Sequence, residues 1–263
     1  MQDKYFSVIK NWFHHYVHSF YSQDEELHFH VRLKEDHTLR VVKIAGDLAK
    51  WLKFSTEQVE LAEIIALLHD IGRFTQYQTY RTFNDALSAN HGELGLEVLQ
   101  QSQILSLSGL PIKEQGIVTK AVLYHNRRHL PIDIAEDCSV FAKLIRDADK
   151  LDIFAMLVTD NKDNKIPRPP EVKDATSYSA QIVEDIFQGK LVEHAAIKTA
   201  ADLMLFRLSW LYDIYFSYSF ACIVKEQYVE QLVATLPDTG DIQRVHCWLQ
   251  EYAIKHSEGT NLM

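Results

Sequence analysis

A chain of 263 residues can bury a full hydrophobic core in one large domain or two small ones, and its 47% apolar and 24% charged residues are ordinary for a globular protein. Only nine glycines and six prolines argue against a turn-rich β architecture and for helices. A formal charge of −9 excludes the overall basic balance of a protein that binds nucleic-acid duplexes, although a local basic patch still suits a nucleotide.

Apolar residues at helical spacing from Tyr5 to Phe20 predict a first amphipathic helix over 3–21. Asp24-Glu25-Glu26 reads as the acidic start of the next helix, which runs to about Phe54 with a break near Asp36. Ser55 followed by Gln58 is a capping-box pattern, and it opens the apolar helix Val59–Leu68. Residues 74–90 are polar and aromatic with weak periodicity, so they read as a loop, a lid over a nearby site. His91 opens another helix, which Gly109 ends; Pro111 starts one that runs to Asn126. A further helix spans about Asp137–Thr159. Residues 160–176 hold three of the six prolines and no periodicity, which marks a connection or boundary. Beyond it lie helical patterns at 177–188, 194–235 and 241–255, then a frayed tail. No internal repeat, glycine-rich phosphate loop, G-x-S-x-G element or strand-like alternation occurs. The predicted fold class is therefore all-α.

Cys138, Cys222 and Cys247 are far apart and form no C-x-x-C pattern, as expected of a reduced, cytoplasmic protein. The N-terminal stretch lacks the apolar core and cleavage site of a signal peptide. Leu203–Val224, the most apolar segment, is interrupted by Arg207 and Asp213 and reads as a buried helix, not a membrane span. No membrane partner is expected. The aromatic run Phe206–Phe220 reads as core, with a homodimer face as its alternative.

The chemistry gathers around His69-Asp70-Ile71-Gly72-Arg73. Histidine and aspartate side by side are an odd way to end an apolar helix. A buried carboxylate is costly without a partner, so a cation is expected nearby. Gly72 reads as the residue at which the helix stops. Arg73 adds a fixed positive charge. Further ligand-type residues fall on separate predicted helices: His37 before the pair, Asp149 after it, and His91 and His125 between. Helix ends in a bundle can converge, so these can share a metal. His28 and His30 compete with His37, His129 with His125, and Asp147 and Asp152 with Asp149. His14, His15 and His18 read as surface or interface residues, since no carboxylate accompanies them.

The order His…His-Asp…Asp, with the pair inside HDIGR and the last Asp inside DADKLD, resembles the HD-domain superfamily of metal-dependent phosphohydrolases over roughly residues 24–160. His91 and His125 are similar to the extra ligands of its two-metal subset, which includes the HD-GYP phosphodiesterases; the GYP part is absent, and His91-Gly92-Glu93 stands in its place. The resemblance implies an HD-type helical core within 1–160, with the helix over 3–21 packed on it; the helical patterns over 161–263 read as a C-terminal extension of the same compact unit. The resemblance also implies that His37, His69, Asp70 and Asp149 hold a first divalent metal and that Asp70 bridges to a second held by His91 and His125. Imidazole and carboxylate ligands suit Fe, Mn, Co, Ni or Zn. Asp70 and Arg73 are then the catalytic residues, with Arg73, Arg127, Arg128 and Lys150 against the substrate; Arg127 and Arg128 have a solvated surface position as their alternative, and Lys150 has pairing with a carboxylate.

The implied activity is hydrolysis of a small phosphate ester, a nucleotide or cyclic nucleotide, by a metal-activated hydroxide. Two other readings share the same residues. A few HD-type proteins, such as myo-inositol oxygenase, use a similar ligand series to hold a di-iron pair that oxidises a C–H bond. A metal-bearing sensor whose C-terminal helices contact a partner is the second.

Overall fold

Local pattern and burial agree from the first helix onward. In the protein, a computed structural model describing residues 4–163 and 177–259, α1 (Phe6–His18) buries Ile9, Phe13 and Val17. Its first backbone amides, which have no partner inside a helix, are capped from a distance: Tyr5 N and Phe6 N donate to Glu60 Oε1 at 2.7 and 2.9 Å. Helix α2 (Glu25–Trp51) starts on the Asp24 side chain, which accepts from Leu27 N. It runs unbroken past Asp36, contrary to the expected interruption. Asp36 is exposed there and faces Arg32 one turn earlier at 3.8 Å, a pair a continuous helix accommodates.

Helix α3 (Thr56–Leu68) carries the predicted capping box, with Ser55 and Gln58 satisfying each other's backbone amides. Leu61, Ala62 and Ile64–Leu68 are all buried, because α1, α2 and α7 (Ile112–Tyr124) pack around this helix. At about 1.5–3 kcal/mol for each large apolar side chain removed from water, α3 is the central post of this part of the chain. It delivers His69 and Asp70 to the interior.

Two expectations fail here. The stretch 74–90 is not simply a loop: Gly72–Tyr80 forms helix α4, which ends on Arg81 in the left-handed conformation (φ 56°). Nine residues are too few for periodicity to register, and the buried Gln76 disguises the inward face of Phe74 and Tyr77. A single 3-10 turn at Asp85–Leu87 follows. Helix α5 (His91–Ser102) also ends before Gly109, at Gln103, which adopts φ 53°; the four-residue α6 (Ile104–Leu107) follows, and only then Gly109 at φ +80°. Helix α8 (Glu136–Asp163) is the last of this region.

The chain divides into two compact units, Met1–Asp149 and Lys150–Met263. The predicted connection lies for the most part, over 164–176, outside the described residues, as do the last four residues of the tail. In the second unit, α9 (Ala180–Phe187), α10 (Ala200–Leu208), α11 (Ser217–Lys225), α12 (Tyr228–Val233) and α13 (Gly240–Ser257) follow in order. Helix α13 packs on α9, α11 and α12.

The expected single helix over Leu203–Val224 is broken by a 3-10 turn at Ser209–Asp213 and extended residues Ile214 and Phe216. Buried Ser209 donates back to Phe206 O at 2.7 Å and accepts from Val192 N at 3.1 Å, so its hydroxyl ends α10. The apolar spacing on either side of Ser209 does not reveal such a stop. No strand forms among the described residues, and none of their helices is long and apolar enough to cross a membrane.

Candidate metal centre

Five helices and the turn between α3 and α4 bring the predicted ligands together. His37 lies mid-way along α2. His69 is the C-terminal cap of α3, and Asp70 occupies the turn into α4. His91 is the first residue of α5, which is capped by Asn90, whose side chain accepts from Glu93 N at 3.1 Å. His125 caps α7, and Asp149 sits in α8.

Asp70 divides the group. Its Oδ2 lies 3.6 Å from His37 Nε2 and 3.7 Å from His69 Nε2. Its Oδ1 lies 3.5 Å from Nε2 of both His91 and His125. Two buried triads, His37–His69–Asp70 and Asp70–His91–His125, thus share one carboxylate. Asp149 lies beside the first, with Oδ1 at 3.1 Å from His37 Nε2 and 3.8 Å from His69 Nε2.

The protonation chemistry fits cations. His69 Nδ1 donates to Ala66 O at 2.7 Å and His125 Nδ1 to Val122 O at 2.7 Å. His91 Nδ1 donates to the Asp85 carboxylate at 2.7 Å. Each second ring nitrogen then presents a lone pair inward. His69 Nε2 is buried with no hydrogen-bond partner among the described residues. His91 Nε2 and His125 Nε2 face each other at 3.0 Å, and two lone pairs at that distance call for a positive centre between them.

Burial, reinforced by Arg73, pushes the His91 imidazole down to about 3 against the pull of Asp85, and burial lowers His125 as well, so a proton does not fill that role at neutral pH. For Asp70, burial opposes ionisation, but Lys34, His69, His125 and Arg73 outweigh it and hold the carboxyl well below the usual range. Asp149 behaves likewise, burial being overcome by His37 and His69. Neutral imidazoles and ionised carboxylates are the ligand forms that bind metal, and the set suits two divalent transition metals among Fe, Mn, Co, Ni and Zn.

Around these ligands lies a layer of supporting groups that the sequence does not single out. Asp85, from the stretch read as a loop, receives His91 Nδ1, Arg73 Nη1 at 3.1 Å, Gln76 Nε2 at 2.8 Å and Asn126 Nδ2 at 3.1 Å. Burial would raise its carboxyl, but His91, Arg73 and Gln76 bring it down to about 2. Arg146 donates to the carbonyls of Tyr124, His125, Arg127 and Arg128, closing the C-terminus of α7 where His125 sits. Lys34 Nζ contacts Asp70 Oδ2 at 2.7 Å. Only the position of Lys34, one turn before His37, could have marked it beforehand.

The remaining sequence candidates divide. Arg73 Nε is 3.5 Å from Asp70 Oδ1 while Nη1 holds Asp85, Gln76 and Phe83 O. Arg127 and Arg128 are exposed on the turn after His125, with Arg127 3.5 Å from Glu93. Lys150, in the second unit, pairs with Asp213 at 2.7 Å, the carboxylate partnering that was its alternative role. His30 stacks on Tyr77 at 4.1 Å, His28 packs on Tyr21, and exposed His129 lies beyond the end of α7.

Residues 35–154 match the family model described as HD domain, a segment that contains all six predicted ligands. No curated protein and no solved structure matches the chain. The match and the two triads on one carboxylate together support metal-dependent hydrolysis.

Proposed function

We propose that this HD-domain protein hydrolyses phosphate esters of small molecules, nucleotides or cyclic nucleotides in particular. The observation that carries the reading is the division of Asp70, one oxygen toward each histidine pair. In this reading His37, His69, Asp70 and Asp149 hold one divalent cation, and Asp70, His91 and His125 hold a second. Such a pair, when bound, supplies a water of lowered pKa and polarises a phosphoryl oxygen.

The chain's own residues do the rest. Arg73, fixed by Asp85 and Gln76, places positive charge beside Asp70, where negative charge grows on the equatorial oxygens during attack at phosphorus. Arg127 and Arg128 meet the outer phosphate charge. Phe83 is partly exposed, with its ring centroid 5.7 Å from the Arg73 guanidinium carbon, and it packs on Tyr77 at 4.8 Å. A flat apolar surface beside cations suits a base next to its phosphate.

The test is metal analysis of the purified protein with a rate screen on p-nitrophenyl phosphate, nucleoside monophosphates and cyclic nucleotides. Asp70→Ala should lose metal and activity together while helical circular dichroism is kept. Full activity in that variant sinks the assignment. Oxygen uptake on substrate addition, in place of phosphate release, would assign the centre to di-iron oxygenase chemistry.

A further inference from the structure

The oxygen of Asp70 that serves the His37–His69 side is already occupied. Lys34 Nζ donates to Oδ2 at 2.7 Å, closer than either imidazole of that side, at 3.6 and 3.7 Å. Lys34 stands one helical turn before His37 on α2, so helix geometry sends both side chains to the same face. The Lys34 side chain is only 18% exposed. Its ammonium lies 5.3 Å from the centroid of the Phe83 ring. A monovalent cation on the protein's own tether thus sits on the oxygen that a divalent ion at this position needs.

Two cations crowded on one carboxylate oxygen repel each other, and the repulsion is strong where water is excluded. A divalent ion backed by His37, His69 and Asp149 has more ligands than the ammonium, which has a flexible four-carbon stem on which to withdraw. Phe83 borders the ammonium on the side of the centre where Arg73 also lies, so that side is open to the four-carbon stem as it withdraws. An arriving anion is the partner that would restore its lost pairing.

We propose that Lys34 is a phosphate-binding residue held in reserve. It neutralises Asp70 Oδ2 until metal takes that oxygen, and it then contacts the phosphoryl group of the substrate. The second half rests on the phosphohydrolase reading above; the first half does not.

The test uses the full chain stripped with chelator. Mn2+ is titrated by calorimetry in a His91→Ala background, so that the His37 position is read, and inorganic phosphate is titrated into the Mn2+-loaded protein. Lys34→Gln should bind Mn2+ about tenfold tighter and phosphate about tenfold more weakly, the scale of one charge-assisted hydrogen bond. With His91 intact, kcat/KM on the best phosphate ester should fall about a hundredfold. Lys34→Arg, with a guanidinium that grips Oδ2 more firmly, should bind Mn2+ more weakly than wild type and keep phosphate affinity.

A lysine that merely supports the fold would lower Mn2+ affinity when replaced by Gln. Mn2+ binding to Lys34→Gln no tighter than to wild type therefore overturns the displacement. Phosphate affinity unchanged in Lys34→Gln overturns the phosphate contact. Should Lys34→Gln fail to fold, Lys34→Arg decides alone: Mn2+ affinity equal to wild type overturns the displacement, and lost phosphate affinity overturns the contact. A wild-type protein that releases phosphate from no ester ends the phosphohydrolase reading, while the two titrations still decide what Lys34 does.

Discussion

Gly72 lies directly against the backbone of His91: a Cβ on Gly72 would fall 2.3 Å from His91 O and 2.5 Å from Gly95 N. The glycine of HDIGR is thus not a helix stop in a left-handed conformation. It is the contact point at which α4 and α5 approach, and it holds the His69-Asp70 turn next to the helix that begins with His91. Backbone cannot yield as a flexible side chain would, so Gly72→Ala should destabilise the protein by roughly 2–4 kcal/mol. It should also weaken metal at the His91–His125 position. Urea denaturation and metal content check this, and a variant of wild-type stability would show that the two helices separate at little cost.

The two triads predict a stoichiometry. Elemental analysis of protein purified without added metal should give about two equivalents per chain. His91→Ala and His125→Ala should each lose one of them, and His37→Ala the other. One equivalent that survives both His91→Ala and His125→Ala would reduce the centre to His37, His69, Asp70 and Asp149, with a mononuclear chemistry.

Asp85 orients His91 from outside the ligand set, through the 2.7 Å contact to Nδ1. Asp85→Asn keeps the shape but removes the charge that fixes the tautomer. Affinity for the second cation should drop about 10–100-fold, as read by competition with a chromophoric chelator. The first cation should be little affected, which separates an orienting role from general loss of structure.

The metal-stripped protein should lose stability as pH falls. Burial holds His91 far below its ordinary value of 6.5, at about 3, and lowers His125 in the same direction. In the unfolded chain both imidazoles take up protons below about 6.5, while in the folded chain they stay neutral, so acid favours unfolding across that window. Asp70 and Asp149 act in the same direction only below their ordinary value of 3.8. Thermal melting in chelator should therefore show Tm falling from neutral pH toward pH about 5, with a shallower slope in His91→Gln. A flat profile would mean that these histidines are protonated in the fold.

Arg146 should matter for stability more than for chemistry. Its guanidinium is buried and serves four carbonyls at the end of α7. Arg146→Met leaves those acceptors without their donor and should cost roughly 2–4 kcal/mol in urea denaturation. Metal bound through His125 should partly restore the loss, because ligand binding to the folded state adds stability.

The part of this protein legible in its residues is local or written in motif. Apolar spacing placed α1, α2 and α7, and Ser55 with Gln58 placed the start of α3, because helices and caps are decided within a few neighbouring residues. HDIGR and DADKLD, with His37, His91 and His125 between and before them, marked the ligand candidates and the stretch that matches the HD-domain model. Tertiary structure alone decided which oxygen of Asp70 faces which histidine, and that Lys34, Asp85, Asn126 and Arg146 surround them. It also decided that Lys150 belongs to Asp213, that 72–80 is helical, and that Ser209 breaks the apolar run. These depend on partners distant along the chain: a side chain's role here follows from the charge or carbonyl that folding sets beside it, and no spacing in the sequence records that neighbour.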